Sequence, residues 1–234
     1  MAHHNTRRLI PRLLRLAAGL LLLPVCVAVT MTLLGTLRGI ADNSVLLSPQ
    51  TLWLCGGFFL WLAVWFLLPQ PIQAYVMGHE LTHALWGLLF GARVQDLSVS
   101  ARGGSVRVSR SNLLITLAPY FFPFYTVAVL LLMAALGLLV KPLPYPMLWL
   151  FLVGLTWGFH VCFTVQSLMI RQPDIQEHGR VFSWVLIYIF NLAGVGLWVV
   201  CATEAEAGAF ARALAADIAA SYAFVLTFAA KLLR

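Results

Sequence analysis

The sequence predicts an all-α polytopic membrane protein of about six transmembrane helices, with one small β-hairpin after a histidine-bearing helix. Three observations predict it. The 234 residues are 62% hydrophobic and 10% charged, with a mean hydropathy of +0.91, whereas soluble domains are about 45–50% apolar and about 25% charged. The apolar residues come in unbroken runs near the length a helix needs to cross a bilayer. A single stretch alternates instead, around two adjacent glycines. Composition and pattern together exclude a soluble enzyme, a disordered chain, collagen and a coiled coil.

Taken in order, the runs lie at 16 to 37, 51 to 68, 72 to 91, 112 to 140, 146 to 170, 181 to 202 and 209 to 230. They group as a single membrane-embedded domain over 1–234, with N-terminal helices in 1–68, the histidine-bearing helix in 72–91 and the hairpin in 93–110. Core helices follow in 112–202, including a broken segment at 166–180, and a C-terminal helix in 209–234. The first run follows Arg7, Arg8, Arg12 and Arg15. Such a start resembles a signal peptide, but the run is long and no small-x-small cleavage site follows it, so it is expected to stay as a helix. Pro69-Gln70-Pro71 ends one helix and begins the next, because each proline lacks a backbone donor and biases its predecessor away from helix. The last run holds Arg212 and Asp217 and follows Glu204 and Glu206, which makes it the weakest span, compatible with lying along the interface. No repeat period is present.

In the alternating stretch, Val94, Leu97 and Val99, then Val106 and Val108, show partial period two on either side of Ala101-Arg102-Gly103-Gly104. The pattern predicts a hairpin around a Gly-Gly turn. An isolated hairpin is marginal in water, so it must pack on the helices or the membrane edge. Net charge is +7, with the cations at run ends, where anionic headgroups and the positive-inside bias put them. The lipid bilayer is therefore the expected surface and nucleic acid is not a partner. Cys26, Cys55, Cys162 and Cys201 lie inside apolar runs without ligand spacing, and are expected to be buried hydrophobes.

Between residues 43 and 92 the one formally charged side chain is Glu80, flanked by His79 and His83 in Val76-Met77-Gly78-His79-Glu80-Leu81-Thr82-His83-Ala84. A membrane-embedded acid is costly and by default marks function. Residues i and i+4 share a helix face, so both imidazoles can bind one Zn²⁺ while the adjacent Glu reaches a water at the metal. Given six histidines in this chain, such a motif arises by chance in roughly 3 of 1000 comparable sequences. Catalytic zinc takes three protein ligands, and the sequence offers His160, Asp174, Glu177 and His178 for the third. His160 sits mid-run in Trp157-Gly158-Phe159-His160, and Asp174 follows the break at Gln172-Pro173. At about 1.5 Å per residue they are about 21 Å apart if helical, so they are alternatives. Asp174, at a span end where a carboxylate can point back into the bundle, is the stronger candidate. Asn191 and the aromatic run Tyr120-Phe121-Phe122-Pro123-Phe124-Tyr125 fit helix association and packing or interfacial anchoring.

The His79-Glu80-Leu81-Thr82-His83 run in an apolar helix, followed by Phe90-Gly91-Ala92-Arg93-Val94 leading into a hairpin, resembles the site-2 protease family of membrane-embedded zinc metalloproteases over roughly residues 72 to 191. In that family an aspartate in a later, broken helix supplies the third ligand within an Asn-x7-Asp pattern ending in Pro-x-Asp-Gly. Gln166 and Asp174 match the spacing, with Pro173 displaced by one place and Ile175 where glycine is expected. The resemblance implies His79, His83 and Asp174 as zinc ligands and Glu80 as the general base. It puts Gln166 where the family's asparagine supports the oxyanion. It implies cleavage of a membrane-protein substrate in or near a transmembrane segment, with the hairpin edge taking the unwound segment as an added strand. Many members carry a PDZ or regulatory domain; no stretch of this chain suits one, so substrate choice would fall to the bundle, the hairpin or a regulatory partner. A non-enzymatic metal-binding or ion-transport protein, with the same four residues lining an ion path, is the competing expectation.

Charge from the hairpin onward predicts a multi-pass protein of a bacterial cytoplasmic membrane with its site toward the cytosol: Arg93, Arg102, Arg107, Arg110, Arg171, Arg180, Lys231 and Arg234 mark one side, Glu204 and Glu206 the other. The arginine-rich amino terminus should share the cytosolic side. Three crossings before the hairpin would place it opposite, so either one early run does not cross or the amino terminus lies outside.

Overall fold

A computed structural model describes residues 2–40, 45, 47–100, 103–202 and 205–233. Helix α1 (Ala2–Ile40) is followed by α2 (Pro49–Leu67) and α3 (Ile72–Leu89), then strands β1 (Val94–Ser100) and β2 (Gly103–Val108). Next come α4 (Leu113–Leu117), a 3-10 turn (Ala118–Tyr120), α5 (Phe124–Leu139) and α6 (Pro146–Met169). The short α7 (Pro173–His178) precedes α8 (Arg180–Ala202) and α9 (Ala207–Leu232). Contacts divide the chain into two compact units, 43–172 and the combination of 1–42 with 173–234.

Within the 43–172 unit, local chemistry sets the helix ends. Ser48 caps α2 by accepting from the Thr51 amide at 3.3 Å, with Pro49 in the first turn, where its missing donor costs nothing. Pro69 and Pro71 separate α2 from α3 as expected. Helix α2 lies along α6 at very close range, because glycines face it on both sides. A Cβ on Gly57 would run into the Phe151 carbonyl, one on Gly154 into the Leu54 carbonyl, and one on Gly158 would stand 3.0 Å from Trp61 Cβ. Small residues let backbones approach where lipid removes the hydrophobic drive between helices.

The hairpin packs on α3. Its strands are antiparallel from Val94↔Val108 to Ser100↔Gly103, with a bulge between Val94 and Asp96. Both Gly103 and Gly104 therefore belong to β2, and residues 101–102 between the strands lie outside the described residues. The bulge breaks the alternation, so Val94, Val99, Val106 and Val108 are half-buried while Leu97 is exposed.

The run at 112 to 140 is not one straight helix. Its two parts, Leu113–Tyr120 and Phe124–Leu139, meet at 83°, because Pro119 and Pro123 bracket the aromatic corner. Among the described residues, five helices are long and apolar enough to cross a membrane (Ile10–Ile40, Pro49–Leu67, Pro146–Met169, Arg180–Cys201 and Ala207–Leu232), or six if the bent pair is one span. Helix α3 is not among them, since its histidines, Glu80 and Gln73 dilute its apolar content. The last run, the weakest by sequence, does qualify.

In the other unit, α1 packs against α8 and α9, and α7 against α8. Asp217 of α9 accepts a hydrogen bond from Thr32 Oγ1 at 2.6 Å, and Thr32 is itself buried. Tyr222 donates to the Leu21 carbonyl at 2.7 Å. Asn191 binds the Ile187 carbonyl one turn back, at 2.8 Å. The cysteines differ from expectation in one case: Cys162 is buried and Cys26 and Cys55 half-buried, but Cys201 is exposed.

Candidate metal centre

Helix α3 carries the motif as its spacing requires. His79 and His83 stand on one face with ring centroids 4.9 Å apart, and their Nε2 atoms are separated by 3.2 Å. The other nitrogen of each ring is held from outside. His83 Nδ1 lies 2.8 Å from the Ile115 carbonyl of α4. A carbonyl only accepts, so this nitrogen carries the proton and, in the neutral ring, Nε2 keeps its lone pair. His79 Nδ1 lies 3.3 Å from the Tyr75 hydroxyl, which is in turn 2.6 Å from Ser167 Oγ of α6. Tyr75 stacks flat on Phe163, with centroids 4.5 Å apart and 5° between planes. The Tyr120 ring meets His79 edge-on at 5.3 Å and is fully buried. The aromatic corner thus walls the histidine pair, beyond the packing role its composition suggested.

Two imidazole nitrogens bound tetrahedrally to zinc at about 2.05 Å stand about 3.3 Å apart. The pair's spacing fits that arrangement, and the outer hydrogen bonds are those that orient metal-binding histidines. Glu80, next in sequence, is buried at 8% exposure. Strand β2 covers it: a Cβ on Gly104 would come within 2.7 Å of Glu80 Cγ and 2.6 Å of Val76 Cγ1. Only glycine lets the hairpin lie this close to the acid.

The other candidates fall in different places. His160, buried at 9% exposure on α6, faces the same cavity as His79. Gln166 donates to Gln70 Oε1 at 3.3 Å, which ties α6 to the 69–71 linker. Asp174 is half-buried in the first turn of α7, in the other unit. The Glu177 side chain is exposed, and its carbonyl accepts from Arg15. Burial holds the His178 imidazole below its ordinary range, against the pull of nearby Glu177. The residues that sequence reasoning missed are Tyr75, Ser167, Tyr120 and the Ile115 carbonyl. Tyr75 alone left a signal, standing one turn before His79 on the same face.

Comparisons with known protein families, with curated proteins and with solved structures find no match for this chain.

Proposed function

We propose that this protein is a membrane-embedded zinc metalloprotease of site-2 protease type, hydrolysing peptide bonds in or near transmembrane segments of other membrane proteins. The observation that carries the reading is the histidine pair: two Nε2 atoms 3.2 Å apart, with His83 Nδ1 anchored on a carbonyl. The resemblance assigns Asp174 as the third ligand, and two imidazole nitrogens with one carboxylate oxygen are a donor set that suits zinc.

Zinc, when bound, supplies a Lewis acid that polarises the carbonyl and makes water nucleophilic near neutral pH. Glu80 would accept a proton from the attacking water and hand it to the leaving amine. Its burial under β2 keeps competing water away from the carboxylate. A helical peptide bond hides its carbonyl, so a substrate must unwind before cleavage; the hairpin beside Glu80 offers an edge on which the unwound segment pairs as a strand. Gln166 supports the oxyanion only if its amide leaves Gln70. We infer a site toward the cytosol, because arginines flank the hairpin; a bacterial cytoplasmic membrane is the location proposed with it.

The test is zinc content per chain of detergent-solubilised protein beside cleavage of a library of single-span membrane proteins. About one zinc is expected in wild type, lost or weakened in His79→Ala and Asp174→Ala. Glu80→Gln should keep the metal and abolish cleavage. Wild type without zinc, or Glu80→Gln that still cleaves, overturns the reading; metal flux without a peptide product favours an ion path.

A further inference from the structure

We propose that the cavity beside His79 receives one small side chain, that of the substrate residue next to the cleaved bond, so that the enzyme selects alanine-sized residues there. The inference rests on the metalloprotease reading. The cavity lies between two helix faces of one unit, Gly78, His79 and Thr82 on α3 and Thr156, Phe159 and His160 on α6, and the bent corner closes it with Phe122 and Tyr125. His79 is both a wall and a ligand candidate, so a group seated here lies against the imidazole that the proposal assigns to the metal. The cavity measures about 20 Å³, room for one water-sized group and hence for one methyl.

Its chemistry is set by hydroxyls already committed. Thr82 Oγ1 donates to the Gly78 carbonyl at 2.7 Å, Thr156 Oγ1 to the Leu152 carbonyl at 2.8 Å and the Tyr125 hydroxyl to the Ala74 carbonyl at 2.6 Å. These three hydroxyls therefore offer an occupant no donor, and the rings of Phe122, Tyr125 and Phe159 add apolar wall. Size discriminates as well. A Cβ on Gly78 would stand 2.8 Å from Tyr125 Cε2, so the cavity exists because position 78 has no side chain. The Phe122 ring, edge-on to Trp86 at 5.9 Å, forms the wall that stops a longer side chain.

The experiment titrates zinc-loaded protein in detergent, by calorimetry, with the N-acetyl hydroxamates of glycine, alanine, leucine and phenylalanine. The hydroxamate anchors each probe on the metal and the side chain samples the cavity. The alanine probe is expected to bind at least about tenfold more tightly than the phenylalanine probe, the scale on which apolar pockets discriminate by size. In Phe122→Ala the leucine and phenylalanine probes should gain about tenfold relative to alanine. In Gly78→Ala the alanine probe should lose its advantage over glycine. Equal affinities for all four probes in wild type, or a ranking that neither variant changes, overturns the proposal while the metal reading stands. A glycine probe that does not bind the zinc-loaded protein overturns the metalloprotease reading, and this inference with it.

Discussion

At the scale of single residues, the pair Tyr75 and Ser167 should govern how firmly His79 holds a metal. Their hydroxyls stand 2.6 Å apart and lead to His79 Nδ1, and such outer contacts are worth about 10–100-fold in metal affinity. Tyr75→Phe keeps the ring stacked on Phe163 and removes only the hydroxyl, so zinc affinity should fall within that range, measured by competition with a chelator. Ser167→Ala should act in the same direction, and the double variant should lose little more than Tyr75→Phe alone, because both act through one chain of contacts. Full additivity would show that Ser167 does not act through Tyr75. The shared face of His79 and His83, with Glu80 beside it, was legible in the sequence, because helix geometry converts their spacing into that face without help from the rest of the chain. Ser167 and the Ile115 carbonyl were not: they reach the site across 92 and 32 residues of chain, and a backbone carbonyl has no sequence signature.

At the scale of elements, the α2–α6 pair is the most sensitive to volume. Gly154→Leu forces a side chain into the Leu54 carbonyl, which no rotamer avoids. Overpacking of this kind costs about 1–3 kcal/mol or more, and the variant should unfold at lower temperature in detergent. Gly35 of α1 has open space where its Cβ would be, so Gly35→Ala should hold or raise stability by up to about 1 kcal/mol. Equal losses in the two variants would mean that helix propensity, and not close approach, decides. The spacing Gly154-x-x-x-Gly158 was available in the sequence as a packing signal, since small residues four apart share a helix face. The bend at 83° was legible only in part: Pro119 and Pro123 disfavour a straight helix, yet hydropathy alone runs through them unbroken. The hairpin's existence was legible from alternation and its register was not, because one bulge shifts the faces and moves both glycines into β2.

At the scale of the whole molecule, the structure changes the arithmetic of membrane crossing. Counting the 72 to 91 run as a span puts three crossings between the arginine-rich amino terminus and the arginine-rich hairpin, in conflict with the positive-inside bias. Helix α3 does not reach the apolar content of the five helices that can span. Its 18 residues, at about 1.5 Å each, measure about 27 Å, somewhat less than the apolar thickness of a typical bilayer. Two candidate spans then precede the hairpin, Ile10–Ile40 and Pro49–Leu67, a number with which the positive-inside bias predicts a cytosolic location for both basic segments. With the four native cysteines replaced by alanine, single-cysteine variants Thr6→Cys and Arg93→Cys should react with a membrane-impermeant maleimide from the same face of sealed vesicles, the cytosolic one. Labelling from opposite faces would mean that α3 crosses in full and that the amino terminus lies outside despite its charge.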